Sequence, residues 1–193
     1  MRALLCCIAT IALLASASGA QSTKASARTW ASFSAGFGPA GASKDGDAVY
    51  EESGQVFGLL GVTRQLAQSR ALEVAVLGVR PFGAGDCLAI PGFVCAPPFG
   101  ALGASTTLLT SLGGTIAPDR FLAGLGAGVF RVAPVESHAV SPRPALGLHV
   151  SVDVPVVVVK RSALALGIRG HVFPAVHGQT LWMGLLNATI RAW

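Results

Sequence analysis

Few residues in this 193-residue chain could do chemistry, and they are scattered. Its four histidines are His138, His149, His171 and His177, and Ser137 directly precedes the first of them. A serine, a histidine and an orienting group are the parts of a hydrolase or acyltransferase, provided the fold brings them within hydrogen-bond reach. No spacing among them reproduces the signature of a lipid deacylase or acyl-transfer enzyme. The run "LAGLGAGVF" contains Gly-x-Gly-x-Gly but lacks the strand–turn–helix setting of a phosphate loop. Cys87 and Cys95 stand close together in "GDCLAIPGFVCAPP". In an exported chain this spacing reads as a local disulfide; a two-cysteine metal site is the weaker reading, because no histidine is near. No catalytic, metal-ligating or cofactor-binding set emerges. The remaining candidates are Glu73, His149, Asp153, Arg169, His171 and Arg191, and their meaning depends on the elements that carry them.

The chain opens "MRALLCCIATIALLASASGAQS", with a positive start, an apolar run too short to span a membrane as a helix, and small residues before Gln21. That is the layout of a secretory signal peptide over residues 1–20, cut after Ala20 with Ala17 as a rival site. A retained anchor is the alternative reading. Residues 21–193 then form one domain. Only 12% of the sequence is charged, 52% is hydrophobic and mean hydropathy is +0.61. An ordinary globular chain carries about a quarter charged residues. The long uncharged stretches 87–118 and 170–190 are broken by prolines or polar residues, so neither is a spanning helix. The net charge of +5 forms no basic stripe with interleaved aromatics, which argues against nucleic acid.

With helices set aside, a closed β-barrel is the remaining way to satisfy a backbone in hydrocarbon. The segment "PALGLHVSVDVP" shows its pattern: Leu146, Leu148, Val150, Val152 and Val154 interleave with Gly147, His149, Ser151 and Asp153. Segments of alternating apolar and small or polar residues, separated by turns, mark transmembrane strands. Eight are expected, at about 28–38, 54–66, 71–82, 106–116, 121–132, 144–154, 162–173 and 180–193. The connections 39–53 and 83–105 are long, whereas 67–70 and 117–120 are short. Long loops face outward in such barrels and short turns face the periplasm. Acidic residues (Asp45, Asp47, Glu51, Glu52, Asp86, Glu136) fall in the expected outer loops, and Arg70, Arg120, Lys160 and Arg161 at the expected periplasmic turns; the outer loop 174–179 is short, an exception to the pattern. This frame puts Glu73, His149, Asp153, Arg169, His171 and Arg191 inside, as a polar network filling a barrel too narrow for a channel. Glu73, Asp153 and Arg191 belong toward the periplasmic end and His149 and Arg169 near mid-depth. His171 is placed with His177, His138 and Ser137 near the outer rim. Trp30, Phe121, Trp182 and Trp193 are candidates for aromatic girdles.

On this pattern the chain resembles the small eight-stranded outer-membrane barrels of the OmpA/OmpX type. The resemblance implies an all-β, antiparallel up-and-down transmembrane barrel in a bacterial outer membrane, monomeric and contacting membrane lipids. It also implies that Trp193 is the terminal aromatic read by the barrel-assembly machinery, although Arg191, Thr189 and Asn187 occupy positions usually apolar in that signal. The implied role is structural or one of surface interaction, with no enzyme activity and no cofactor. Two other readings are carried: a secreted soluble β-barrel or sandwich binding protein, and an outer-membrane lipid-modifying enzyme.

Overall fold

The computed structural model describes residues 28–44, 47–82, 99–111, 114–134, 143–176 and 178–193; alternating side chains favour strands, and eight form among these described residues. The strands are β1 (Thr29–Lys44), β2 (Asp47–Ala67), β3 (Arg70–Phe82), β4 (Phe99–Thr110), β5 (Leu122–Pro134), β6 (Arg143–Val159), β7 (Ser162–Val176) and β8 (Gln179–Ala192). Each pairs antiparallel with the next, and β8 pairs with β1 to close the sheet. Closure leaves no unpaired lateral edge along the wall, which a bilayer demands.

The register sets the barrel's size. A path of paired residues from Ala31 through Val62, Val74, Thr106, Ala127, Leu148, Val172 and Trp182 returns to β1 at Gly41, ten residues higher. With strands about 4.8 Å apart and a rise of about 3.3 Å per residue, this stagger gives a tilt of about 41° and a backbone radius of about 8 Å. Side chains fill so narrow a cylinder. Interior positions accordingly mix large groups on one strand with glycine on its neighbour. A Cβ on Gly126 would run into the Thr106 carbonyl and the His149 ring, and one on Gly167 into Asp153.

The outside is aliphatic. Leu125, Leu146, Leu60 and Ile168 are each more than half exposed, and Leu148, Val150 and Val154 continue the belt along β6. Leu146 to Val154 alone covers about 20 Å of height at this tilt, close to the apolar band of about 25 Å on transmembrane barrels. The opposite face of the same strand turns Gly147, His149, Ser151 and Asp153 inward.

Several sequence expectations are corrected. β4 runs Phe99–Thr110, not 106–116, so the connection to β5 takes residues 111–121 and is longer than a tight turn. Its residue Ile116 is fully buried, and its backbone N–H donates to the Gln68 carbonyl. β1 and β2 continue to Lys44 and from Asp47 through what was expected to be a 39–53 loop. Trp30 is no girdle residue: it shares the parity of Ser32 and Ser34 and lies inside, 2% exposed. The signal peptide, Cys87, Cys95, Ser137, His138 and His177 lie outside the described residues.

Candidate functional site

Three layers fill the barrel. At the end with the β2–β3 and β6–β7 turns, Trp30, Ala71, Leu109, Ile116 and Leu122 pack together as an apolar floor. At the opposite end a larger apolar cluster contains Phe57, Leu77, Phe99, Phe130, Phe173 and Met183. Its rings meet edge to face, Phe130–Phe173 at 5.2 Å and Phe99–Phe173 at 6.1 Å. This upper half departs from the small-or-polar interior expected from the sequence. β2 and β3 are apolar on both faces, and closure turns Phe57, Leu59, Leu77 and Val79 inward.

Polar groups occupy the layer between. Arg191 donates to Asp153 at 2.8 Å and to the carbonyls of Pro118 and Arg120 at 3.1 and 3.2 Å, tying the 111–121 connection beneath the barrel. Asn187 donates to Asp153 at 2.8 Å and to Thr189 at 3.0 Å, and Thr189 shares a hydrogen bond with Ser34. Glu73 accepts from Ser32 at 2.8 Å, and its other oxygen lies 3.8 Å from Arg169. That distance is an ion pair without a direct hydrogen bond. His149 Nε2 is 2.7 Å from the Thr107 hydroxyl, and the His149 ring stacks on His171 at 5.1 Å. His171 in turn stacks on Phe173. His171 is therefore not a rim residue; it is 1% exposed beneath the aromatic layer.

The six charged or imidazole side chains singled out from the sequence thus lie in one buried layer, joined as two clusters with the histidine stack. Alternation in the sequence sets Ser32, Ser34, Asn187 and Thr189 on the small-or-polar face, and closure brings them into that layer. Thr107 joins them without such a signal, because the short segment 106–116 shows no clear alternation. Among the described residues Arg169 Nε and Nη1, both His171 nitrogens and His149 Nδ1 have no hydrogen-bond partner.

A hydroxyl bonded to an imidazole is the beginning of a nucleophile–base pair. Here Thr107 and His149 are both buried, and His149 Nδ1 has no orienting acceptor. Among the described residues no group of three histidine, cysteine or acidic side chains could hold a metal ion. Trp193, beyond β8, is partly exposed and its backbone N–H donates to the Arg161 carbonyl.

The chain matches no family model and no curated protein. Among solved structures it is similar to Neisserial surface protein A, at 15% identity and TM-score 0.63, over 87% of this chain and 99% of that one. Its fold is that of the small outer-membrane β-barrels. Looser likenesses are to OprG from Pseudomonas aeruginosa (9% identity, 84% of this chain and 95% of that one, TM-score 0.47) and to Ail, the attachment invasion locus protein of Yersinia pestis (11%, 85% and 99%, TM-score 0.46). An aliphatic belt on a closed barrel belongs against lipid, and bacterial single-chain barrels of this kind sit in the outer membrane. The barrel is accordingly an outer-membrane protein. The belt also removes the soluble-binder reading, which requires a polar exterior around an apolar centre.

Proposed function

We propose that the barrel is a non-catalytic outer-membrane protein with a structural or surface-interaction role, acting as a monomer through its outward end. The supporting observation is the layering of its interior. The lower plug of Trp30, Ile116 and Leu122 and the upper plug of Phe99, Phe130 and Phe173 enclose the polar layer from both sides. A solute pathway has little room in such a core, and the Thr107–His149 pair is buried within it. β1 and β2 extend farthest at the end where β3–β4 and β5–β6 are joined by long connections, which suits display of a surface beyond the membrane. In the same reading, β8 is the strand engaged by the assembly machinery, and Cys87 and Cys95 constrain the longest outer loop as a disulfide.

Reconstitution in a planar bilayer tests this reading. The expected result is folded protein with no unitary conductance, and deletion of the gene leaving lipid A and phospholipid profiles unchanged. Stable single-channel steps, or a lipid species lost on deletion and restored only by the intact chain, would contradict it.

A further inference from the structure

Just above the lipid-facing belt, two arginines point outward on one side of the barrel. On β3, Val79 is buried and Arg80 is exposed; on β5, Phe130 is buried and Arg131 is exposed. β4 runs between them. Arg131 pairs with Leu102, and Arg80 lies one residue beyond the Val79–Ala101 pair, so both flank Gly100 and Leu102 at nearly one height. Two strand spacings and a two-residue offset separate their backbones by about 12 Å, within reach of two long side chains leaning over glycine. Arg143, exposed at the start of β6 and paired with Val132, extends the patch at its upper edge. Directly below lie Val56, Leu102, Val129 and Leu146, all exposed aliphatics. Among the described side chains neither Arg80 nor Arg131 has an ion-pair partner.

We propose that Arg80 and Arg131 form a binding site for the phosphates of a phosphorylated glycolipid in the outer leaflet. The inference rests on the orientation proposed above, which places this end outward. Guanidinium groups at the boundary of an apolar belt meet headgroups rather than water or acyl chains. Their planar forks match phosphate oxygens with paired hydrogen bonds, strengthened where water is scarce. Below the arginines, Leu102, Val129 and Leu146 offer the same lipid's acyl chains a contact surface. The far side of the barrel differs at this height: over Gly41 on β1 lies the Trp182 ring, not a cation. The patch is therefore local to β3–β6. The cations of the opposite rim, Arg28, Arg70, Arg120, Lys160 and Arg161, belong to turns or strand ends around the periplasmic end and provide a control.

Native mass spectrometry of the detergent-purified, folded full chain would test the site with three probes: lipid A carrying both phosphates, the same lipid with both removed, and phosphatidylglycerol. Fully phosphorylated lipid A should bind at least about tenfold more tightly than the dephosphorylated form, given the strength of charged hydrogen bonds. Arg80→Gln/Arg131→Gln should abolish that preference while keeping heat-modifiable migration, and Arg70→Gln/Arg120→Gln should preserve it. Equal binding of the two lipid A forms, or an unchanged preference in the Arg80/Arg131 variant, overturns the site. Arginine-dependent binding of phosphatidylglycerol at equal strength overturns its assignment to the outer-leaflet lipid. Failure of the wild-type chain to fold in lipid would instead overturn the membrane reading itself.

Discussion

The Arg191–Asp153 pair is the most heavily committed polar contact in the barrel, and replacing Arg191 with Met should be among its most damaging single changes. The two side chains are 2% and 9% exposed and 2.8 Å apart. Removing the guanidinium leaves a buried carboxylate without its cation, a loss of about 3–5 kcal/mol when one partner of such a pair is deleted. It also strips donors from the Pro118 and Arg120 carbonyls, at about 1 kcal/mol each, so the total belongs at the upper end of that range. The folded-to-unfolded ratio should fall roughly 5,000-fold. A second substitution, Asp153→Leu, removes the stranded charge, while Asn187 keeps its bond to Thr189. The double variant should therefore recover to within about 2 kcal/mol of wild type, because an apolar replacement of a buried ion pair is nearly neutral. Reversible urea unfolding in lipid vesicles, followed by tryptophan fluorescence and heat-modifiable migration, measures wild type, both single variants and the double variant. A single substitution costing under about 1 kcal/mol, or a double variant as unstable as the sum of the singles, would refute the claim that this buried pair couples the floor to the wall.

Other interior and surface positions give sharper contrasts. His171→Phe should stabilise the barrel by about 1 kcal/mol, because it removes two buried nitrogens without partners and keeps a ring between His149 and Phe173; a loss of stability in urea would show that those nitrogens are satisfied in the membrane. Gly126→Val should prevent folding, its side chain colliding with the Thr106 carbonyl and the His149 ring, whereas Gly58→Val on the outer face meets nothing and should migrate like wild type on unboiled gels. Leu148→Arg, in the middle of the lipid-facing belt, should cost about 2–4 kcal/mol of folding free energy in vesicles. Insensitivity at that position would mean that water, not lipid, surrounds the belt.

Much of the architecture can be read from local alternation. In "PALGLHVSVDVP" a period of two separates Leu148 and Val150 from His149 and Asp153, and burial in the structure follows that division residue by residue. The same period placed Arg169, His171 and Arg191 on inward faces without reference to any partner. Alternation fails where both faces are apolar. In β2 and β3, Val56 and Phe57, or Val76 and Leu77, are equivalent as a pattern, and only closure decides that Phe57 and Leu77 are the buried ones. β4 fails for another reason: "FGALGASTTLLT" is rich in small residues, so its start resembles the Gly/Pro-rich loop before it, and only its two ladders, from Phe99–Pro134 with β5 to Arg70–Thr110 with β3, set its limits.

The sequence alone determined that the strands must alternate and that a greasy face must meet lipid, because side-chain direction along an extended chain depends on nothing beyond neighbouring residues. Tertiary structure alone decided that the interior is layered, with Trp30 and Ile116 below, the Asp153–Arg191 and Glu73–Arg169 pairs between, and Phe130 and Phe173 above. Those groups come from strands far apart in the chain, and their heights match only through the ten-residue stagger that closes the sheet. That stagger is a property of the whole ring, and no single segment encodes it.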